Sequence, residues 1–183
     1  MTDLHQLLVE RRSIRKYKPE PLDPDTVKTI LSAGLLSPTG KNARAWHFVA
    51  VDDPKTLEAL SRCKRAGALP VAKAPLAVVV CVDTTRSETW IEDGSIAAAY
   101  MMLQARDLGV GSCWIEVYGR RTADETPAEE VVGEILDLPD PIMPLCIVTF
   151  GIPDEDRKPQ NEEKLLWERV HIGRFNPAQC PAE

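Results

Sequence analysis

Apolar positions recur at helical spacing in some stretches of this chain and run together in others. Leu4, Leu7 and Leu8 follow Thr2 and Asp3, either of which serves as an N-cap, and predict a short first helix. Asp23 followed by Pro24 marks a second helix start. Val27, Ile30, Leu31 and Leu35 give that helix an apolar face, and it ends near Ser37, because Pro38 disfavours helix in the residue before it. Residues 37–45 (SPTGKNARA) read as a loop. Residues 47–51 read as a strand and 54–62 as a short helix. Residues 76–82 (LAVVVCV) are continuously apolar, as in a strand buried on both faces.

The longest predicted helix covers 91–108. Its centre, 96–103 (IAAAYMML), is apolar on every side, so the helix is expected to be covered all round, with another subunit as one source of that cover. Gly109 ends it. Residues 110–117 then read as a strand, 128–136 as a helix and 146–150 as a strand. From Gly151 onward the chain is polar and proline-containing, and reads as an extended arm. Helices mixed with strands that need not be parallel give an α+β class. Neither an internal repeat nor a linker interrupts the chain, so 1–183 reads as one domain, with 150–183 as its C-terminal arm.

Composition changes this picture little: 183 residues with 44% hydrophobic and 27% charged suit a globular domain. No apolar run reaches the roughly 18–20 residues of a membrane helix. The first ten residues lack a basic-then-apolar leader pattern, so a cytoplasmic location is expected, with no membrane partner. A net charge of −6 argues against nucleic acid as a partner. Yet Arg11, Arg12, Arg15, Lys16 and Lys18 fall within eight positions, which suggests one anionic ligand at one spot. The five cysteines form no C-x-x-C pair and include Cys81 and Cys146 inside apolar runs, the usage of a reducing compartment.

The candidate chemistry centres on Arg11-Arg12-Ser13-Ile14-Arg15. Arginine forks match phosphate oxygens, and a serine hydroxyl adds a donor. A solvated basic stretch at a helix end is the plainer alternative. The loop at Gly40-Lys41-Asn42 fails as a phosphate loop: five residues rather than four separate Gly34 from Gly40, Asn42 replaces the needed hydroxyl, and a helix precedes it. Gly109-Val110-Gly111 lacks the third glycine of a dinucleotide fingerprint. His5, His47 and His171 have no ligand spacing, so no metal is expected. His47 beside Trp46 reads as a hydrogen-bonded structural histidine. A Cys113–His47 nucleophilic pair stays open, against an inert buried thiol. Trp114 and Tyr118 suit either core packing or the wall of an apolar ring site.

Four segments, in order and at the right spacing, resemble the flavin-dependent nitroreductase family. They are Arg11-Arg12-Ser13-Ile14-Arg15-Lys16-Tyr17, residues 37–48 (SPTGKNARAWHF), residues 105–114 (ARDLGVGSCW), and Lys164 ahead of Val170-His171. The resemblance spans about residues 4–175. It implies a nitroreductase-like mixed sheet sandwiched by helices, and a domain-embracing homodimer that joins through the long central helix. It also implies FMN at the subunit interface. Arg11, Arg12, Ser13 and Arg15 match positions that bind the FMN phosphate and ribityl chain, with Lys164 closing on the phosphate. Pro38, Thr39 and Asn42 match a loop that reaches the flavin, often from the partner. Trp114, Ile115 and Glu116 match the stretch beside the ring, where a backbone N–H faces the flavin N5. Arg44 and Ala45 depart from a family Gln and Pro, Val117 from a frequent glycine beside the ring, and Glu162 from a basic residue. The implied activity is hydride transfer from NAD(P)H through the flavin to a nitroaromatic, quinone or similar electron-poor acceptor, by a ping-pong cycle with no required acid–base residue. Other readings are the same fold doing different FMN chemistry such as reductive dehalogenation, a flavin-binding redox sensor without turnover, and a non-flavin scaffold with a basic patch.

Overall fold

The computed structural model describes residues 3–179, so Thr2 and Cys180 lie outside the described residues. Five helices are formed: α1 (Leu4–Glu10), α2 (Pro24–Leu35), α3 (Pro54–Leu60), α4 (Trp90–Asp107) and α5 (Ala128–Ile135). Aspartates start three of them. The side chains of Asp3, Asp23 and Asp53 accept from the N–H groups of His5, Thr26 and Thr56, which satisfies donors that a helix start leaves open. Gly109, at φ +73°, ends α4 in a conformation that costs glycine little.

Four strands, β1 (Trp46–Val51), β2 (Leu76–Asp83), β3 (Gly111–Glu116) and β4 (Ile142–Gly151), form a sheet in the order β1-β2-β4-β3. The α+β class holds. All three strand pairings are antiparallel, and parallel pairing enters through a bridge between Ser13 and Ser112. β4 begins at Ile142, earlier than the expected start at 146. Pro144 reads as a breaker in sequence, but it sits opposite Cys81, where the register shifts between Val80 and Cys81, and a bulge tolerates a residue with no N–H.

Side chains alternate across the sheet with period two. Ala77, Val79 and Cys81 join Cys113, Ile115 and Ile147 under α3 and α5. Leu76, Val78 and Val80 join Cys146, Val148 and Phe150 under α2 and α4. Central β2 is therefore apolar on both faces, as its unbroken run predicts. On α4, Ala97, Ala98, Met101, Met102 and Ala105 are buried within the chain, whereas Ile96 and Tyr100 are 37% and 43% exposed. Leu4 and Leu8 of α1 are also exposed. The expectation of a helix covered all round is thus met on one side only within a single chain.

The basic segment after α1 crosses the ends of β3 and β4 and is hooked there by two buried side chains. Ile14 packs where a Cβ on Gly111 would come within 2.9 Å of it. The Tyr17 hydroxyl donates to the Ile14 carbonyl and lies 2.7 Å from Thr149 Oγ1, and burial pushes the phenol well above its ordinary range. Lys18 N–H donates to the Ile152 carbonyl at 2.9 Å. β4 still includes Gly151, so the arm begins one residue later than the sequence suggests.

Gly151 tests this anchor. An added Cβ would come within 2.7 Å of Pro75 Cδ and 2.8 Å of Tyr17 Cδ1. Gly151→Ala is expected to lower unfolding free energy by about 1–3 kcal/mol, as overpacking does. Denaturant titration checks this; an unchanged midpoint would show that the contact yields freely.

Candidate functional site

With Ile14 and Tyr17 turned inward, their polar neighbours face outward. Ile14 N–H donates to the Ser112 carbonyl at 2.9 Å, which lays Arg11 and Ser13 along the outer edge of β3. There they share a hollow of about 400 Å³ with Leu8, Ala99, Met102, Leu103 and Trp114. Trp114 Nε1 donates to Glu116 Oε2 at 3.0 Å, which extends the strip toward the end of the strand.

The backbone of β3 adds donors. The Ser112 carbonyl points away from β4, because it accepts from Ile14. Strand alternation then aims the Trp114 and Glu116 N–H groups at the same outer edge. The Glu116 carbonyl obeys the rule, since Lys64 Nζ donates to it from outside the sheet at 2.7 Å. The Ile115 side chain is buried under α5 on the opposite face, and by the same alternation its backbone N–H turns inward to β4, so Ile115 does not present a group at this edge. Val117 is buried in that same core, so the side chain that departs from a family glycine does not crowd the edge.

The other sequence candidates are spread out. Arg12 turns away and donates to the carbonyls of Lys158 and Pro159 in the arm. It borders a second hollow of about 270 Å³, which also includes Arg11, Arg106 and Arg157. Arg15 is exposed; its N–H donates to Glu155 Oε1 at 2.6 Å, and this contact, with the adjacent Arg157 charge, holds the Glu155 carboxyl below its usual range. Lys164 lies in a short turn of the arm, exposed, and does not line either hollow. The arm reaches that point along α1, through Gln160 N–H to the Val9 carbonyl and His5 Nε2 to Glu162 Oε1 at 2.7 Å. Pro38, Thr39 and Asn42 precede β1, at the far edge of the sheet from β3. One chain therefore does not bring that loop to Arg11.

Some functional positions escape sequence reading. Lys41, Asn42 and Arg44 all adopt positive φ, a conformation that costs non-glycine residues and needs support. Asp93, buried in the first turn of α4, supplies it: its carboxylate accepts from Gly40 N–H at 2.8 Å and Ser87 Oγ at 2.7 Å. Nothing in its spacing distinguishes it from an acid that merely favours a helix start. Lys64 is another, because 52 residues separate it from the Glu116 carbonyl it meets. Burial holds its ammonium below the ordinary lysine range, with the Arg120 charge adding to the shift.

Two sequence readings fall. His47 and Cys113 sit on β1 and β3, the two opposite edges, three interstrand spacings or roughly 14 Å apart. They form no nucleophilic pair. Burial also raises the thiols: Cys113 upward, Cys81 to about 12. His47 itself is exposed at the sheet edge rather than held as a structural histidine. Among the described residues no group of three His, Cys, Asp or Glu could hold a metal ion, and no helix is long and apolar enough to cross a membrane.

The edge of β3 thus combines a guanidinium and a hydroxyl that suit a phosphoryl group, an apolar wall that suits a flat ring, and outward N–H donors. That donor set fits a phosphorylated ring cofactor such as FMN. Comparison with known proteins agrees. Residues 8–93 and 71–152 match the model of the Nitroreductase family. An NADH dehydrogenase/NAD(P)H nitroreductase of Archaeoglobus fulgidus is 31% identical over 176 residues, covering 93% of this chain and 98% of the relative. An FMN-dependent nitroreductase of Clostridium difficile has a similar structure, with a TM-score of 0.90 at 41% identity over 92% of this chain and 98% of the other. An NADH dehydrogenase/NAD(P)H nitroreductase of Parabacteroides distasonis gives 0.86 at 29% identity, over 96% of this chain and 100% of its own.

Two substitutions check the site's architecture. Asp93→Ala is expected to cost about 1.5–3 kcal/mol for each charge-assisted bond lost and to speed amide exchange at residues 40–44. Unaltered exchange there would mean the loop holds its shape unaided. Cys113→Ser is expected to keep full turnover, and a loss of 100-fold or more, on the order expected for a nucleophile, would restore the thiol as a reactive group.

Proposed function

This chain belongs to the nitroreductase family, and we propose that it holds FMN along the outer edge of β3 and passes reducing equivalents from NAD(P)H to a nitroaromatic, quinone or similar electron-poor acceptor in a ping-pong cycle. It is an NAD(P)H-dependent, nitroreductase-like flavoenzyme. The observation that carries the reading is the meeting of Arg11, Ser13 and Trp114 around one hollow at that edge.

When bound, FMN supplies a two-electron relay between nicotinamide and acceptor. The chain's own residues bind and tune it. Arg11, with Arg12 and Arg15, matches the terminal phosphate by charge-assisted bonds, and Ser13 donates its hydroxyl. Lys164, outside both hollows in the single chain, would join them if the arm closed toward Arg11 on binding. Trp114 and Met102 exclude water from the ring's face. The Glu116 N–H donates at the redox edge, and the Lys64 ammonium beside the Glu116 carbonyl adds a fixed positive charge where negative charge develops. No side chain is required as acid or base, so no catalytic residue is assigned.

Two copies complete the site in this reading. Leu8 lines the hollow, Leu4, Ile96 and Tyr100 are exposed on the same two helices, and Trp167, Ile172 and Phe175 of the arm are also exposed, Ile172 by 96%. A partner covers both, and its Pro38, Thr39 and Asn42 reach the ring that their own chain leaves at a distance. The whole chain then acts as one FMN-binding domain whose arm, after Gly151, embraces the partner.

The purified protein is expected to be yellow and dimeric, to bleach with NADH or NADPH without oxygen, and to recover colour with a nitroaromatic. A colourless monomer that takes up no added FMN would overturn the reading. Arg11→Ala combined with Arg15→Ala is expected to weaken FMN by about two to four orders of magnitude, from roughly 1.5–3 kcal/mol per lost charge-assisted bond. Fluorescence titration reads this. Glu116→Ala should retain most turnover, since that residue acts through its backbone.

A further inference from the structure

Beyond the end of β3 lies a third hollow, of about 300 Å³, lined by Lys64, Arg65, Ala66, Glu116, Arg120 and Arg121. Four of its six lining residues are cations, on a chain of net charge −6. Their positions are built rather than incidental. Arg65 N–H donates to the Arg121 carbonyl at 2.9 Å, and Ala128 N–H to the Arg120 carbonyl at 2.8 Å, so two backbone stretches are pinned across the hollow. Arg121 further bridges to Pro127.

The acids nearby are already engaged. Glu116 accepts from Trp114, while Glu125 pairs with Arg65 through its carboxylate and accepts from Arg121 through its carbonyl. Lys64 is committed to the Glu116 carbonyl. Among the described residues the Arg120 guanidinium has no hydrogen bond or ion pair. Against Lys64, Arg65, Arg120 and Arg121 stand the carboxylates of Glu116 and Glu125, with Glu129 held nearby by Gly119 N–H at 3.2 Å, so positive charge still exceeds negative by one. The Lys64 ammonium is lowered mainly by burial, and the Arg120 charge adds to that shift. Such a hollow is completed by a compact dianion, and arginine's planar fork favours phosphate.

The hollow opens from the same residue, Glu116, whose N–H stands at the proposed redox edge. Resting on the proposed function, we propose that this basic hollow receives the 2′-phosphate of NADPH and makes NADPH the preferred reductant over NADH. The two dinucleotides differ only in that phosphoryl group, so a separate cationic pocket near the hydride-transfer edge discriminates between them without altering the ring site.

The test uses the intact flavin-loaded protein and two probes. Arg120→Ala is expected to raise the KM for NADPH about 10–100-fold, the loss of one charge-assisted bond, while kcat stays unchanged and the KM for NADH moves by no more than about twofold. Arg120→Lys should recover part of the loss, as a point charge replaces a fork. By calorimetry, adenosine 2′,5′-bisphosphate should bind the wild-type protein more tightly than adenosine 5′-monophosphate, and Arg120→Ala should erase that difference. Equal use of NADH and NADPH by the wild type, or an equal rise of both KM values in the variant, would overturn the proposal; the second result would assign the hollow to the pyrophosphate. The calorimetric arm needs no flavin. A colourless protein that still prefers the bisphosphate would refute the flavoenzyme reading and uphold the hollow.

Discussion

Everything at the candidate site depends on how a seven-residue basic segment is held against the sheet. Arginines repel one another and are well solvated, so nothing in their own chemistry gathers them. The gathering force is apolar: Ile14 closes over Gly111, and Tyr17 wedges between Gly151 and Thr149. With those two side chains turned inward, the neighbouring Arg11 and Ser13 are left half-buried and Arg15 exposed at the surface. The candidate phosphate-binding strip is therefore a by-product of core packing, and the two glycines that permit the close approach are as much part of it as the arginines.

Much of this was legible in the primary structure, for physical reasons that differ by element. β2 reads correctly because residues 76–82 are buried on both faces and leave no polar position before Asp83 to blur the run. The aspartate caps read correctly because short side chains that satisfy a helix start leave a local signature. The edge of β3 is less visible: Trp114, Ile115 and Glu116 are consecutive, yet they divide between two faces, so only the fold tells which of them contributes a side chain and which only its backbone. Least visible are Asp93 and Lys64, whose partners lie 53 and 52 residues away. No spacing rule reaches that far, and neither residue type is distinctive. β4 starts four residues before its sequence reading at 146, because a bulge accommodates Pro144.

The departures from the family pattern separate by the same logic. Val117 changes a side chain that lies in the core under α5, so the edge it departs from is undisturbed. Arg44 changes a side chain in a strained loop, where its Nε donates to Asn42 Oδ1 at 2.9 Å and so alters the very residue expected to reach the ring. Of the two, only the loop change bears on what the acceptor meets.

The outer edge of β3 has one further consequence. A strand whose backbone donors point at open space is a template for any other extended chain, and proteins ordinarily blunt such edges with charge or cover. Under the proposed function the cover is FMN. Loss of the prosthetic group would uncover ladder positions beside an apolar strip at the same moment, so the vacated protein is a candidate for self-association into disordered clumps. Retention of its pigment is then a matter of solubility as well as of turnover.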